Sequence, residues 1–145
     1  FPVSREAVKD QFARIPADQF RGQGQKILVV DDQEVQRLLV CEMLASLGFE
    51  TASAASGEEA IDYLKTNPAD LVILDMIMDP GINGRETYER IIQFRPDQKA
   101  IIASGYSLND DVRAAQRMGA GAFLKKPYGL KELEIAVRKE LTGSD

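Results

Sequence analysis

Two adjacent carboxylates follow a short apolar run near the start of the chain. In the stretch KILVVDDQE, residues 26–34, Asp31 and Asp32 come directly after four apolar residues. Two like charges side by side each raise the cost of ionising the other. A hard divalent cation such as Mg²⁺, which prefers oxygen ligands, offsets that cost when it binds beside them. The pair therefore raises the hypothesis of a metal site.

Other apolar runs also end in residues that could do chemistry. Asp75 follows one run, Ser104 follows another, and Lys126 stands just after a third. Taken singly, each group has an ordinary interpretation: a helix cap or a turn for an aspartate, and full solvation for a lysine. These interpretations leave unexplained why complementary groups end four of the five runs.

The apolar runs alternate with helix-like stretches, which indicates the fold. Short, wholly apolar strands separated by helices are typical of a parallel sheet covered on both faces. The sequence predicts an α/β fold: a doubly wound, five-stranded parallel sheet in a flavodoxin-like three-layer sandwich, with strand order 2-1-3-4-5. The predicted strands are 27–30, 51–54, 71–74, 100–103 and 122–124. The first helix is expected to stop at Gly48 and to have one apolar face, made by Leu39, Val40, Met43, Leu44 and Leu47. Ser56 with Glu59, and Asn83, are expected to begin the next two helices.

The predicted topology brings the polar strand ends together. In an open parallel sheet the ligand crevice lies beyond the carboxyl ends of the strands, where the strand order reverses. Strand two, at the predicted edge, ends in alanines and contributes nothing. The other four place three carboxylates, a hydroxyl and an ammonium in one small area. That set favours Mg²⁺ held among Asp31, Asp32 and Asp75 and bridging to a phosphate.

Composition limits the other possibilities. The chain has 145 residues, 44% hydrophobic and 28% charged, which suits one domain with a sizeable core. Its net charge of −5, without a Lys/Arg cluster, argues against a nucleic-acid surface. No apolar stretch approaches a membrane span, so direct membrane contact is not expected. Histidine is absent, which removes any phosphohistidine of its own, and a single cysteine fits a reducing compartment.

Four motifs resemble, in order and spacing, those of response-regulator receiver domains: ILVVDDQE, DLVILDMIMDPGING, IIASGYS and GAFLKKP. The resemblance covers residues 26–142. It implies that Asp75 is the phosphoacceptor. It also implies that Asp32 contacts Mg²⁺ directly, that Asp31 does so through water, and that the backbone carbonyl of Ile77 is a further ligand.

The same resemblance implies the switching and binding roles. Lys126 matches the invariant lysine, Ser104 the switch hydroxyl and Phe123 the aromatic switch position, and the Lys126-Pro127 bond is expected to be cis. The domain would then catalyse its own phosphorylation and dephosphorylation. Its expected partner is a phosphohistidine-bearing kinase or phosphotransfer domain in the cytoplasm. Whether it forms a homodimer through its last helices stays open.

Two features bear on the parent protein and on the loop after Asp75. Residues 1–25 are predicted to be a linker or arm, and their first five, FPVSR, resemble the closing strand of a histidine-kinase ATP-binding domain. Together with the missing initiator Met, this favours the C-terminal receiver of a hybrid sensor histidine kinase, tethered to a membrane sensor. The family loop usually runs Asp-x-x-Met-Pro-Gly, whereas here Asp79 is inserted before the proline. That insertion puts the loop geometry and partner docking in doubt.

The sequence also bears on four alternative functions. A haloacid-dehalogenase-type phosphatase needs a second Asp two residues after the nucleophile, where this chain has Ile77. A flavodoxin-like nucleotide binder needs a Ser/Thr/Gly phosphate loop after strand one, where the two acids would repel phosphate. A free-standing response regulator that docks on an effector, and a phosphorylation-independent docking module, both keep the predicted fold.

Overall fold

Five strands and five helices alternate along the part of the chain that the computed structural model describes, residues 24–78, 81–105 and 110–143. The strands pair in parallel in the order β2-β1-β3-β4-β5, so the predicted doubly wound fold and strand order are confirmed. Asp79 and the predicted arm, apart from its last two residues, lie outside the described ranges. The elements are β1 Lys26–Val30, α1 Glu34–Ser46, β2 Glu50–Ala54, α2 Gly57–Thr66, β3 Leu71–Asp75, α3 Gly84–Phe94, β4 Ala100–Ser104, α4 Asp110–Arg117, β5 Phe123–Lys125 and α5 Leu130–Thr142.

The sheet is covered on both faces by separate apolar clusters. Successive side chains of a strand point to opposite faces. In β1, Ile27 and Val29 therefore pack with α1 and α5, whereas Leu28 and Val30 pack with α2, α3 and α4. Every residue of β3 and β4 is buried. Burial on both faces explains why the strands read as continuous apolar runs without polar alternation.

The first helix corrects one detail of the prediction. Val40, Leu44 and Leu47 are buried against the sheet, but Leu39 is 48% exposed, so its predicted place on the same helix face was wrong. The buried residues recur at a spacing of four and three, which forms one stripe along a helix. Leu39 lies about 100° around the helix from its neighbour and faces away from that stripe. Gly48 follows the helix with φ 96°, a conformation that glycine adopts readily.

Capping hydrogen bonds fix where α2 and α3 begin. At α3 the predicted cap is complete: the Asn83 side chain accepts from the Glu86 N–H at 2.8 Å, and the Glu86 carboxylate accepts from the Asn83 N–H at 3.1 Å. At α2, Ser56 accepts from the Glu59 N–H as expected, but the Glu59 carboxylate accepts from Ala55 instead. Across the described ranges, no helix has the length and apolar character that crossing a bilayer requires.

Candidate functional site

A cleft at the carboxyl edge of the sheet collects most of the residues selected from the sequence. Asp32, Asp75, Ile77, Ser104 and Lys126 line it. They come from the ends of β1, β3, β4 and β5, which all point their carboxyl ends to the same edge. The predicted edge strand β2 contributes no lining residue to this cleft.

Three carboxylates meet at this edge because of the register between β1 and β3. Val30 lies opposite Leu74, so the residues that follow them, Asp31 and Asp75, emerge side by side. One carboxylate oxygen from each of Asp31, Asp32 and Asp75 lies within 4.8 Å of the other two. Asp31 is 4% exposed and Asp75 is 8% exposed, whereas Asp32 is more open to solvent.

The ammonium of Lys126 bridges two of these carboxylates. Its Nζ lies 2.8 Å from Asp31 Oδ2 and 3.1 Å from Asp75 Oδ1. The backbone holds the lysine in place, because the Lys126 N–H donates to the Ser104 carbonyl at 2.8 Å. The Lys126-Pro127 bond is cis, which confirms the prediction. Burial lowers the pKa of Lys126, but the bond to Asp31 and the charge of Asp75 outweigh it, so the pKa is raised overall.

The Asp75 carboxyl is strongly perturbed. Burial raises its pKa to about 6, because the attraction of Lys126 only partly offsets burial and the repulsion of Asp31 and Asp32. Three hard oxygen ligands with uncompensated negative charge are what a divalent cation such as Mg²⁺ prefers. The donor set and its electrostatics therefore fit a metal ion.

Four backbone and side-chain partners hold Asp31. Its N–H donates to the Ala54 carbonyl at 3.2 Å, and its Oδ1 accepts from the Gln33 N–H at 2.9 Å. Its carbonyl oxygen accepts from Arg37 Nη1 at 2.8 Å, and Lys126 holds its Oδ2. Neither acid is the N-cap of α1, since Gln33 occupies that position without a side-chain cap bond.

The chain passes very close to Asp75 where α3 begins. The Gly84 N–H donates to the Met76 carbonyl at 2.8 Å. A Cβ at residue 84 would lie 2.7 Å from the Asp75 carbonyl oxygen, so glycine is required by space. The cap at Asn83 and this close approach together fix the backbone on the far side of the loop after Asp75.

Ser104 and Phe123 differ in how they relate to the cleft. Ser104, at the end of β4, is buried and lines it. Phe123 is half-buried at the start of β5, opposite Ile102, and packs on the sheet face that α2, α3 and α4 cover. Phe123 is not among the residues that line the cleft.

Several residues at the site were missed from the sequence. Gln33 and Gln36 line the cleft beside Asp32, and Arg37 contacts Asp31. Tyr128 lies nearby: burial, followed by the charges of Asp31 and Asp75, raises its pKa. Closeness in the sequence could have indicated three of them, because the two glutamines and the arginine lie within six residues of the acid pair.

The fold and the acidic cleft together define a receiver domain of two-component signalling, and the chain belongs to this family. Residues 27–138 match the family profile of the response regulator receiver domain.

Among its relatives, the chain is similar to sporulation initiation phosphotransferase F of Bacillus subtilis, 35% identical over 117 residues, which are 81% of this chain and 94% of that protein. It is 30% identical to the chemotaxis protein CheY of Thermotoga maritima, over 80% of this chain and 97% of that one. It is also 35% identical to the autoinducer 1 sensor kinase/phosphatase LuxN of Vibrio campbellii, over 81% of this chain but only 14% of LuxN.

Solved structures agree with this assignment. A CheY-like receiver domain from Methanospirillum hungatei superposes with a TM-score of 0.78 at 25% identity, covering 83% of this chain and 95% of that one. The response regulator TrrA of Thermotoga maritima, solved in complex with Mg²⁺ and BeF, gives a TM-score of 0.73 at 36% identity and covers 81% and 99%.

Proposed function

We propose that this receiver accepts a phosphoryl group on the Asp75 carboxylate, with Mg²⁺ as cofactor, in a two-component phosphorelay. The observation that carries the proposal is the cluster of three carboxylates at the cleft, two of them bridged by Lys126. An Asp75 oxygen attacks phosphorus in line, the new O–P bond forms, and the donor's N–P bond breaks. The electron pair of that bond stays on nitrogen, and a donor ring that carries a proton on its other nitrogen leaves as neutral imidazole. There is little covalent work for other residues, so catalysis consists mainly of positioning and charge stabilisation.

The cleft residues divide the binding of metal and phosphoryl group between them. Asp32 and Asp75 would hold Mg²⁺ directly, Asp31 through water, and the Ile77 carbonyl would complete the protein ligands. When bound, Mg²⁺ would supply positive charge that neutralises phosphoryl oxygens, as the Lys126 ammonium would. The bonds of Asp31 to Lys126 and Gln33 suit an indirect role, because both of its carboxylate oxygens already have partners. The complex of TrrA with Mg²⁺ and BeF supports the choice of metal.

Phosphorylation of Asp75 is proposed to act on the end of β4. A dianionic group at Asp75 attracts the Ser104 hydroxyl at the cleft wall, and Phe123 moves into the space that Ser104 leaves. Ser104 is buried, so its displacement must change packing around it. The new charge thereby shifts a two-state equilibrium of the face formed by β4, α4 and β5.

The phosphodonor is proposed to be a phosphohistidine on a kinase or phosphotransfer domain that docks beside the cleft. The first turns of α1, where Gln36 lines the cleft, also expose three apolar side chains: Val35, which is 76% exposed, Leu38 and Leu39. Ile77 adds a fourth at the cleft wall. Clustered apolar side chains of this kind mark a protein interaction site. Their position suits a partner that presents apolar side chains around its phosphohistidine.

The parent protein is proposed to be a cytoplasmic hybrid sensor kinase, with residues 1–25 as linker and 26–142 as its receiver. FPVSR at the start of the chain and the match to part of LuxN support this reading. A free-standing response regulator is the second candidate, favoured by the matches to two relatives that are covered almost completely. The sequence of the parent gene upstream of residue 1 distinguishes the two.

The proposed function is tested by intact-mass spectrometry after incubation with Mg²⁺ and acetyl phosphate. We expect one added phosphoryl group, lost with a chelator and in Asp75→Asn. Asp62→Asn, the same change at an exposed position of α2, is the matched control and should be phosphorylated normally. An adduct that persists in Asp75→Asn would contradict the assignment. No adduct with either acetyl phosphate or a cognate phosphohistidine donor would indicate a phosphorylation-independent docking module.

A further inference from the structure

We propose that Arg37 is a positioning residue for the metal site, acting through the peptide group that joins Asp31 to Asp32. Its guanidinium holds the carbonyl of that peptide and so fixes where the Asp32 carboxylate stands. The inference rests on the proposed Mg²⁺-dependent function and deepens it.

The contact is a single hydrogen bond between the Arg37 side chain and the Asp31 backbone. Arg37 Nη1 donates to the Asp31 carbonyl oxygen at 2.8 Å. That oxygen belongs to a planar peptide unit whose other end is the N–H and Cα of Asp32. Because the unit is rigid, restraining its oxygen also restrains the direction in which the chain leaves toward the Asp32 side chain.

The other bonds of Asp31 act at different points. Ala54 accepts from its N–H, and Gln33 and Lys126 donate to its carboxylate, so they fix Asp31 itself. The Arg37 bond acts on the peptide that leads onward to Asp32. The backbone of Arg37 is itself held in the first turn of α1, because the Arg37 N–H donates to the Gln33 carbonyl at 3.0 Å.

A positioning role of Arg37 and a simple charge effect predict opposite changes in Mg²⁺ affinity when the residue is replaced, which makes the inference testable. The guanidinium carries a positive charge. A positive charge beside the Asp31 backbone repels a cation that approaches the site, so on charge alone its removal should tighten Mg²⁺ binding. If Arg37 positions Asp32, its removal should weaken Mg²⁺ binding. Losing a partner that orients a metal ligand typically costs about 10- to 100-fold in affinity.

The experiment compares Mg²⁺ dissociation constants, measured by isothermal titration calorimetry, for wild type, Arg37→Gln, Arg37→Lys and Lys125→Gln. Lys125 is exposed at the end of β5, so its substitution removes one positive charge at the same edge of the sheet without touching Asp31. We expect the dissociation constant to rise about tenfold in Arg37→Gln. In Lys125→Gln it should stay equal or fall slightly.

A second measurement on the metal-free protein tests the restraint itself. Hydrogen bonding to a carbonyl changes the chemical shifts of its carbon and of the attached amide nitrogen. The ¹³C′ shift of Asp31 and the ¹⁵N shift of Asp32 should therefore move in Arg37→Gln and stay in place in Lys125→Gln. Arg37→Lys keeps the positive charge but has a shorter side chain. Its Mg²⁺ affinity should be reduced only to the extent that its Asp31 ¹³C′ chemical shift differs from that of wild type.

The possible results separate the two proposals. Mg²⁺ binding by Arg37→Gln that equals or exceeds that of a binding-competent wild type would overturn the role of Arg37 alone. Affinities that do not follow the Asp31 carbonyl shift across the two Arg37 variants would do the same, even if one variant is poorly folded. A wild type that binds no Mg²⁺ would overturn both this inference and the proposed metal dependence.

Discussion

Buried polar groups have different surroundings at the two edges of the sheet, the amino edge where the strands begin and the carboxyl edge where they end. At the amino edge, buried polar side chains are paired with the backbone. The Gln98 side chain, only 8% exposed, donates to the carbonyls of Ala69 and Lys99, and the Tyr88 hydroxyl donates to the Gln98 carbonyl. At the carboxyl edge, three carboxylates crowd together and the pKa of Asp75 is raised.

Charged groups follow the same division. At the amino edge, Asp70 accepts from the Lys26 N–H at 2.8 Å, and Glu140 accepts from the Ala122 N–H at 2.9 Å. Each of these carboxylates thus meets a neutral backbone donor instead of another acid. The difference indicates that the amino edge contributes stability, whereas the crowded carboxylates of the carboxyl edge reduce it. In the presence of a chelator, substitutions at the two edges should therefore change the free energy of unfolding in different ways.

Replacing Lys126 should give the largest change. Lys126→Met leaves Asp31 and Asp75 facing each other without the ammonium between them. We expect the free energy of unfolding to fall by about 2 to 4 kcal/mol at pH 7, since breaking a largely buried pair leaves uncompensated charge. The loss should shrink at pH 4, where Asp75 is protonated. Urea unfolding at both pH values measures it, and equal losses at the two would argue against the charge explanation.

Neutralising Asp75 should raise the free energy of unfolding instead of lowering it. Its pKa is about 6 in the folded protein, above the ordinary value of 3.8. The folded state therefore holds the proton more tightly, and stability falls as pH rises from about 4 to above 6. Asp75→Asn removes that penalty, so unfolding should cost about 1 to 3 kcal/mol more at pH 7.5 and show no gain at pH 4. Destabilisation at pH 7.5 would contradict the picture of a strained edge.

At the amino edge, substitution should only destabilise. Gln98→Leu removes the side-chain donor of the Ala69 and Lys99 carbonyls. The Lys99 carbonyl keeps its bond from the Val72 N–H. We expect a loss of about 1 to 2 kcal/mol that does not change between pH 4 and pH 8, because no charge is involved. Gln93→Leu, at an exposed position of α3, is the matched control and should be nearly neutral. A pH-dependent loss in Gln98→Leu would break the contrast between the edges.

The smallest effect is expected at Glu140. Glu140→Gln keeps an oxygen that can accept from the Ala122 N–H. Because the bond survives without its charge, the change in the free energy of unfolding should be about 0.5 kcal/mol or less. Thermal unfolding beside wild type is sufficient to measure it. A stabilisation as large as that of Asp75→Asn would mean that carboxylates at both edges are under similar strain.

The fold and the composition of the site were predictable for the same physical reason. Parallel strands buried on both faces must be apolar throughout, so a polar residue such as Asp75 or Ser104 marks where a strand ends. Since the carboxyl ends of all the strands lie at one edge of the sheet, the residues predicted to end the strands were also the residues predicted to lie at the cleft. Leu39 was misplaced because α1 carries more apolar residues than one stripe needs, and sequence alone does not fix the rotation of the helix.

What the sequence could not provide are contacts to backbone atoms. The bond from Arg37 to the Asp31 carbonyl, and the approach of Gly84 to Asp75, depend on how loops turn between elements. A backbone carbonyl is the same in every residue, so no residue type signals that it will be an acceptor. The side-chain chemistry of the cleft was therefore predictable, whereas the restraints that orient it were not.

The central claim, that Asp75 receives the phosphoryl group, is tested most directly by locating the modified residue. The protein is treated with acetyl phosphate and Mg²⁺, reduced with borohydride, which converts an aspartyl phosphate to homoserine, and digested for peptide mass spectrometry. We predict homoserine at position 75 and unchanged aspartate at 31 and 32. Homoserine at either of those positions instead, with residue 75 unmodified, would contradict the claim.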